Sequence, residues 1–398
     1  MGIKKLKENV YSVGVLNPGL RVFDIIMHSP FGTSYNAYLL TGEKNVLIET
    51  VHIDFWDEYR ANIESILPLE QIDYLIMDHN EPDHSGSVAK LLDICPNLTI
   101  ICTQAGKRFL EDISNRTFNC MVVKQGDTLD LGNRTLEFIP APFLHWSDSM
   151  FTWSPQDAVL FSCDFLGTHF CEPTMMDTTV HYPDAYMDQV KNYYDCIFHP
   201  FKPYVLAGLD KIDALSPAPE MICTCHGPCL TERIDEIKAL YRTWSTPVRR
   251  ERKLAAVLYC SAYGCTQALA EAAGQALRER GMDVELRDVT FTNLDESAEL
   301  ANTCDLLAVG ASTINRDAPK AIWDVLASID AINTKGKAAF AFGSYGWSGE
   351  AVEMLRTRLQ QLKFTVGSEG FRNRFTPTAQ DLEAVARLAL ETADMIKE

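Results

Sequence analysis

The chain has 398 residues, enough for two or three domains, and its 46% hydrophobic and 23% charged residues are ordinary globular proportions. Its formal charge of -18 excludes a general nucleic-acid binder, because phosphate contacts need clustered Lys and Arg. No apolar run approaches the roughly 18 residues of a membrane span, and residues 1–8 are charged with no apolar stretch behind them, so a cytoplasmic protein is expected.

Up to residue 50 the pattern is extended, with runs at 10–15, 21–27, 35–40 and 46–50 broken by Pro, Gly and Asn. This predicts an antiparallel sheet. A helix over 54–66 leads to an apolar strand at 72–77, and the alternation continues with a strand at 98–102 and a helix at 104–112. Further strands are expected near 120–123, 135–140, 150–153, 158–163 and 221–224, with 183–219 irregular to helical. A helix over 231–244, N-capped by Thr231, closes a region of residues 1–248 that reads as an αββα sandwich. Residues 245–253 are polar, charged and contain Pro247, the composition of a linker. Beyond it, strands at 254–260, 283–288, 306–310, 338–342 and 364–366 alternate with helices at 266–281, 296–303, 319–329, 349–361 and 379–396. That is the rhythm of a flavodoxin-like doubly wound parallel sheet over residues 254–398. The twelve irregularly spaced cysteines of so large a chain predict free thiols.

One loop restricts the chemistry most. His79-Asn80-Glu81-Pro82-Asp83-His84 sets two imidazoles and two carboxylates in six residues between a strand and a helix, where α/β folds place their sites. His145, Asp164 and His226 each end a later apolar run, and a buried charge there needs a partner. The Cys223-Thr224-Cys225-His226-Gly227-Pro228-Cys229 stretch offers a rival thiolate site, though without C-x-x-C spacing.

The order of these residues resembles the metallo-β-lactamase superfamily, with Glu81 where the hydrolases carry His. With that glutamate the chain resembles the flavodiiron proteins, or A-type flavoproteins, over essentially its whole length. The resemblance implies His79, Glu81 and His145 on one non-haem iron, Asp83, His84 and His226 on the other, and Asp164 bridging. Three carboxylates with imidazoles suit two irons better than an all-imidazole zinc site would. His169, Asp148 and Tyr193 or Tyr194 are candidates to orient the ligands.

In the second domain the first strand ends in Ser261-Ala262-Tyr263-Gly264-Cys265-Thr266, where hydroxyls and amides meet a helix start and can hold a phosphate. No G-x-G-x-x-G or Walker motif is present. Ser312-Thr313-Ile314-Asn315 and Ser344-Tyr345-Gly346-Trp347-Ser348-Gly349 end two later strands at flavodoxin positions that flank a flavin ring, which makes FMN the expected cofactor.

The resemblance implies an oxidoreductase that passes electrons from FMN to the irons and reduces O2 to water or NO to N2O. No rubredoxin-like pair of C-x-x-C motifs follows Glu398, so a separate donor is expected, rubredoxin or a reduced deazaflavin coenzyme. Domains of this size have radii of gyration near ~18 and ~15 Å, which puts cofactors of one chain on the order of 30 Å apart. A head-to-tail homodimer, or a dimer of dimers, is therefore expected to bring one subunit's FMN to the other's irons. The alternatives are a di-zinc metallo-β-lactamase-type hydrolase with an accessory flavodoxin domain, and an electron carrier with a degenerate first domain.

Overall fold

A computed structural model describes residues 3–247 and 249–396, so Val248 of the expected linker and the chain ends at 1–2 and 397–398 lie outside the described residues. The chain divides into two compact units, Met1–Thr246 and Pro247–Glu398.

The first unit holds two sheets. Lys4–Lys7, Val10–Ser12, Tyr38–Leu40, Val46–Ile48, Tyr74–Ile76, Thr99–Cys102 and Asn119–Val122 lie in that order, antiparallel up to Val46–Ile48 and parallel beyond. The second sheet runs Thr128–Asp130, Thr135–Pro140, Met150–Ser154, Val159–Cys163 and Met221–Thr224, antiparallel except for the last pair. Strand alternation sorts the side chains into layers. Tyr38, Leu40, Val46, Ile48 and Ile76 meet Phe138, Met150, Val159 and Phe161 between the sheets. Leu39, Leu47, Leu75, Phe151, Trp153 and Leu160 belong to the other core cluster, with Tyr59, Ile63, Leu91, Val190, Leu209 and Tyr241 of the helices. Both faces are therefore covered, which explains why these strands read as unbroken apolar runs.

Several expectations need correction. The extended runs 10–15 and 35–40 each split, because Val15–Asn17 pairs with Thr33–Tyr35 apart from the main sheet. Gly14 permits this crossing: a Cβ there would stand 2.2 Å from the Tyr35 carbonyl oxygen. Run 21–27 is only a hairpin of Val22–Phe23 and Met27–His28, turned by positive φ at Asp24 and Ile25. The helix expected from Thr231 is Ile234–Ser245, with Arg233 at its cap position. Thr231 instead gives its amide and hydroxyl to buried Asp177, at 2.8 and 2.7 Å, so a distant carboxylate competed successfully for the capping group.

The second unit is a parallel sheet in the order Asp283–Asp288, Leu254–Cys260, Leu306–Ser312, Ala338–Tyr345, followed by Thr365–Val366 and Phe371–Arg374, which both pair with Ala338–Tyr345. Helices Cys265–Glu279 and Ala379–Ala393 pack on one face through Leu269, Ala273, Leu277, Val385 and Ala389. Leu294–Thr303, Lys320–Ala327 and Ala351–Gln361 cover the other through Leu300, Ile322, Val325, Leu355 and Leu359. Strand Phe371–Arg374 was not expected; its Arg-Asn-Arg sequence lacks apolar alternation, and its ladder to Ala338–Tyr345 is what makes it a strand. Among the described residues, no helix is long and apolar enough to cross a membrane.

Candidate metal centre and flavin cleft

In the first unit the carboxyl ends of strands Val46–Ile48, Tyr74–Ile76, Val159–Cys163 and Met221–Thr224 carry the polar residues that the loops bring together. Glu49, at the end of Val46–Ile48, accepts the amides of Asp78 and His79 at 2.7 and 3.2 Å, and Thr50 bonds the His84 carbonyl. The motif loop is thus fixed at both ends from the neighbouring strand. Asp78 accepts the Thr152 hydroxyl at 2.7 Å, tying the loop to the second sheet. A register shift between Phe161 and Cys163, with Cys163 at φ 50, turns the chain just before Asp164.

All seven residues expected to bind metal converge. His79, Glu81, His145 and Asp164 form one set, and Asp83, His84 and His226 another. In the first, Glu81 Oε2 lies 3.3 Å from His79 Nε2 and 3.0 Å from His145 Nε2, while Asp164 Oδ2 lies 3.7 and 3.6 Å from the same two nitrogens. In the second, Asp83 lies 3.4 Å from His84 Nε2 and 3.0 Å from His226 Nε2, and Asp164 Oδ1 lies 3.1 and 3.4 Å from them. One carboxylate thus offers an oxygen to each set.

Three features test whether these residues fit bound cations. Metal–ligand bonds of about 2.1 Å imply ligand atoms about 3.0 to 3.4 Å apart, close to the spacings found. Asp83 Oδ1 and Oδ2, Asp164 Oδ2 and both His84 nitrogens are buried without a hydrogen-bond partner among the described residues, which is costly unless an ion satisfies them. Finally, His79 Nδ1 faces Asp148 Oδ1 at 3.2 Å and His226 Nδ1 faces the Ser34 carbonyl at 2.7 Å. With the Nδ1–H groups donating there, each Nε2 lone pair is left for an ion. The residues fit a pair of cations.

Electrostatics agree. Burial opposes charge on His79 and His84, yet Asp148 and Glu81 hold the His79 imidazole well above its ordinary value, and Asp83 and Asp164 do the same for His84. The Asp164 carboxyl, against its burial, is held well below the usual range by His84, His226 and His79. Without ions the cluster stores protons on imidazole, and cation binding must displace them. At the mouth, Asp24 is pushed up to about 6 by burial and by the facing Glu81.

The residues expected to orient the ligands divide. Tyr193 donates its hydroxyl to Asp164 Oδ1 at 3.0 Å, and Asp148 also accepts the Asn80 amide at 2.9 Å. His169 bonds Thr33 at 2.8 Å and packs between Phe23 and the Tyr193 ring, which it meets edge-on; burial, then His226, keeps it well below its ordinary value, so it is neutral. Tyr194 does not belong here. One residue further round the helix, it bonds Ser245 at 2.8 Å and packs on Tyr241 and Trp244. Nor do Cys223, Cys225 and Cys229 form a thiolate site: Cys223 and Cys229 sit in the core between the sheets, and only Cys225 joins a potential ligand set, with Cys163 and His84. All twelve cysteines are free. Sequence reasoning missed Glu49, Asp78, Ser34 and Asp24; Glu49 and Asp78, polar residues at the ends of apolar strands, were the available signal.

In the second unit a cleft opens at the carboxyl ends of the strands, lined by Ala262, Tyr263, Cys265, Ser312, Thr313, Ile314, Ser344, Tyr345, Gly346 and Phe375. Eight of these were expected. Thr266 lies beneath it, bonded to Ser344 and Ser312 at 2.7 and 3.1 Å. Ser261 accepts the Gln267 amide at 3.2 Å, and Gly264, at φ 81, starts the helix. Asn315, Trp347, Ser348 and Gly349 are not among the wall residues: Asn315 turns at φ 51, the Trp347 side chain is 74% exposed, and the Gly349 backbone packs on the Tyr345 ring. Phe375 was missed with the strand that it directly follows.

Residues 33–227 match the ODP family beta lactamase, and residues 257–388 match the family Flavodoxin. The chain is 46% identical to the flavo-diiron protein FprA2 of Clostridium acetobutylicum, over 98% of this chain and 99% of that one. It is 30% identical to a nitric oxide reductase of Moorella thermoacetica, over 98% of each. Among solved structures, the rubredoxin oxygen:oxidoreductase of Desulfovibrio gigas aligns with a TM-score of 0.69 and 27% identity, covering 99% of this chain and 98% of that one. The sheet order, the two carboxylate–imidazole sets and these likenesses together place the chain in the flavo-diiron protein family.

Proposed function

We propose that this protein reduces O2 to water, NO to N2O, or both, at two non-haem irons held by His79, Glu81, Asp83, His84, His145, Asp164 and His226, with FMN in the second unit as the point of electron entry. The observation that carries this reading is Asp164, whose two oxygens face the two ligand sets at 3.1 to 3.7 Å. Bound there, the irons would supply redox equivalents and Lewis acidity, and FMN would pass on electrons from its donor. Asp148 and the Ser34 carbonyl fix the tautomers of His79 and His226, while Tyr193 orients Asp164. Phe23, Trp146 and Phe198 pack edge-on against His226, His79 and His145 and exclude bulk water. Ser312, Thr313, Ser344, Tyr345 and Gly346 would hold the flavin, with Ser261, Tyr263, Gly264 and Cys265 nearest its phosphate.

We further propose a separate donor, rubredoxin or a reduced deazaflavin coenzyme, a cytoplasmic location and a head-to-tail homodimer. The direct test is anaerobic purification with iron and FMN quantified, then O2 and NO consumption with chemically reduced rubredoxin. Iron-loaded protein that consumes neither gas would refute the function.

Two substitutions probe the ligand chemistry. Asp148→Asn keeps an acceptor for the Asn80 amide but loses the charge behind His79, and iron is expected to leave roughly 10- to 100-fold more readily in a chelator challenge. Glu81→His exchanges the hard oxygen at 3.0 Å from His145 Nε2 for a third imidazole. Metal analysis is expected to find less iron and more zinc, while unchanged iron content would show that this carboxylate does not set the preference.

A further inference from the structure

We propose that Cys163, Cys225 and His84 form a second, thiolate-rich cation site beside the carboxylate–imidazole sets, suited to a thiophilic divalent ion such as zinc or cobalt. The Cys225 and Cys163 sulfurs lie 3.3 Å apart, and the ligating atoms of both cysteines and of His84 lie within 4.8 Å of one another, all three residues buried. The backbone fixes this arrangement. Strands Val159–Cys163 and Met221–Thr224 run parallel, and just past them the Cys225 amide donates to the Cys163 carbonyl at 2.8 Å. The His84 backbone is likewise held, its carbonyl accepting the Thr50 amide at 3.1 Å, yet both of its ring nitrogens lack a hydrogen-bond partner among the described residues.

Coordination chemistry favours an ion over a disulfide here. Two thiolates on one tetrahedral ion, with metal–sulfur bonds of about 2.3 Å, stand about 3.8 Å apart. A disulfide requires about 2.05 Å. The observed 3.3 Å, at which the Cys225 thiol donates to the Cys163 sulfur, is nearer the first. Two sulfurs and one imidazole leave a fourth corner for water, the ligand count of an open Cys2His site. Binding releases one proton from each thiol to solvent, so that a divalent ion and two neutral thiols give a neutral bis-thiolate complex. Soft sulfur holds thiophilic ions more strongly than the adjoining oxygen and nitrogen donors do. Because His84 also faces Asp83 and Asp164, at 3.4 and 3.1 Å, an ion on the thiols competes for it with the neighbouring set. The site needs no assumption about iron.

The test uses the full-length chain, stripped of metal and titrated anaerobically with Co2+ alone. The unmodified protein is expected to gain near-ultraviolet thiolate-to-cobalt charge-transfer absorption, which C163S and C225S each lose and which C223S/C229S keeps. Visible cobalt bands from the carboxylate–imidazole sets, retained in C163S and C225S, report a folded chain. X-ray absorption on the unmodified protein is expected to find sulfur on cobalt at about 2.3 Å. Absence of sulfur ligation in the unmodified protein, its persistence in C163S/C225S, or recovery of Cys163 and Cys225 as a disulfide from anaerobic protein would overturn the proposal.

Discussion

Asp164→Asn is expected to empty both iron positions while leaving the flavin in place. The carboxylate presents Oδ1 to His84 and His226 at 3.1 and 3.4 Å, and Oδ2 to His145 and His79 at 3.6 and 3.7 Å. A carboxamide is nearly the same size but has one acceptor oxygen and one NH2 group. Whichever way it turns, one set meets a donor where a ligand was. The substitution also removes one of the three carboxylate charges, with Glu81 and Asp83, that offset most of the charge of two divalent ions. Tyr193 can still reach the remaining oxygen, so the surrounding packing is retained. Iron per chain is expected to fall below half the unmodified value and gas consumption by at least roughly 100-fold, more than the loss of a supporting residue causes. Colorimetric iron, flavin absorbance and an O2 or NO electrode on one preparation decide it. Full iron retention would remove Asp164 from the ligand set.

The residues proposed as ligands were legible because metal chemistry leaves a local mark: His79 to His84 bunch on one loop, and Asp164 and His226 follow apolar strands. Their supports left a fainter mark, or none. Ser34 serves His226 through a backbone carbonyl, which any residue has, and Glu49 serves His79 and Asp78 through their amides across the sheet. Such bonds depend on strand order, and strand order was not in the residues. Tyr193 and Tyr194 show the limit on a finer scale. Both are buried and adjacent, and only the helix phase assigns one to Asp164 and the other to Ser245. In the second unit the parallel strands were readable from their apolar runs, whereas Phe371–Arg374, and with it Phe375 on the cleft wall, depends on a ladder to Ala338–Tyr345.

If the protein is the proposed head-to-tail homodimer, mixed dimers provide the second large effect. One chain carries Asp164→Asn and keeps its flavin cleft. Its partner keeps the metal centre and carries Gly346→Trp, whose side chain enters the cleft, where even a Cβ would stand 3.1 Å from the Phe375 ring. Each homodimer lacks one half of the electron path, so each is expected to be inactive. Co-expressed with different affinity tags and purified through both, the mixed dimer has one intact flavin and one intact metal centre on different chains. If electrons cross between subunits head to tail, those two meet at one of the two junctions, and about half of the unmodified activity per dimer is expected. If electrons stay within a chain, neither subunit has a complete path and the mixed dimer is as silent as its parents. A head-to-tail dimer of the kind proposed would place each subunit's flavin beside its partner's metal centre. Flavin and iron quantified on the same mixed dimer tie the outcome to electron path rather than to cofactor loss, and a silent, correctly loaded mixed dimer would refute the head-to-tail arrangement.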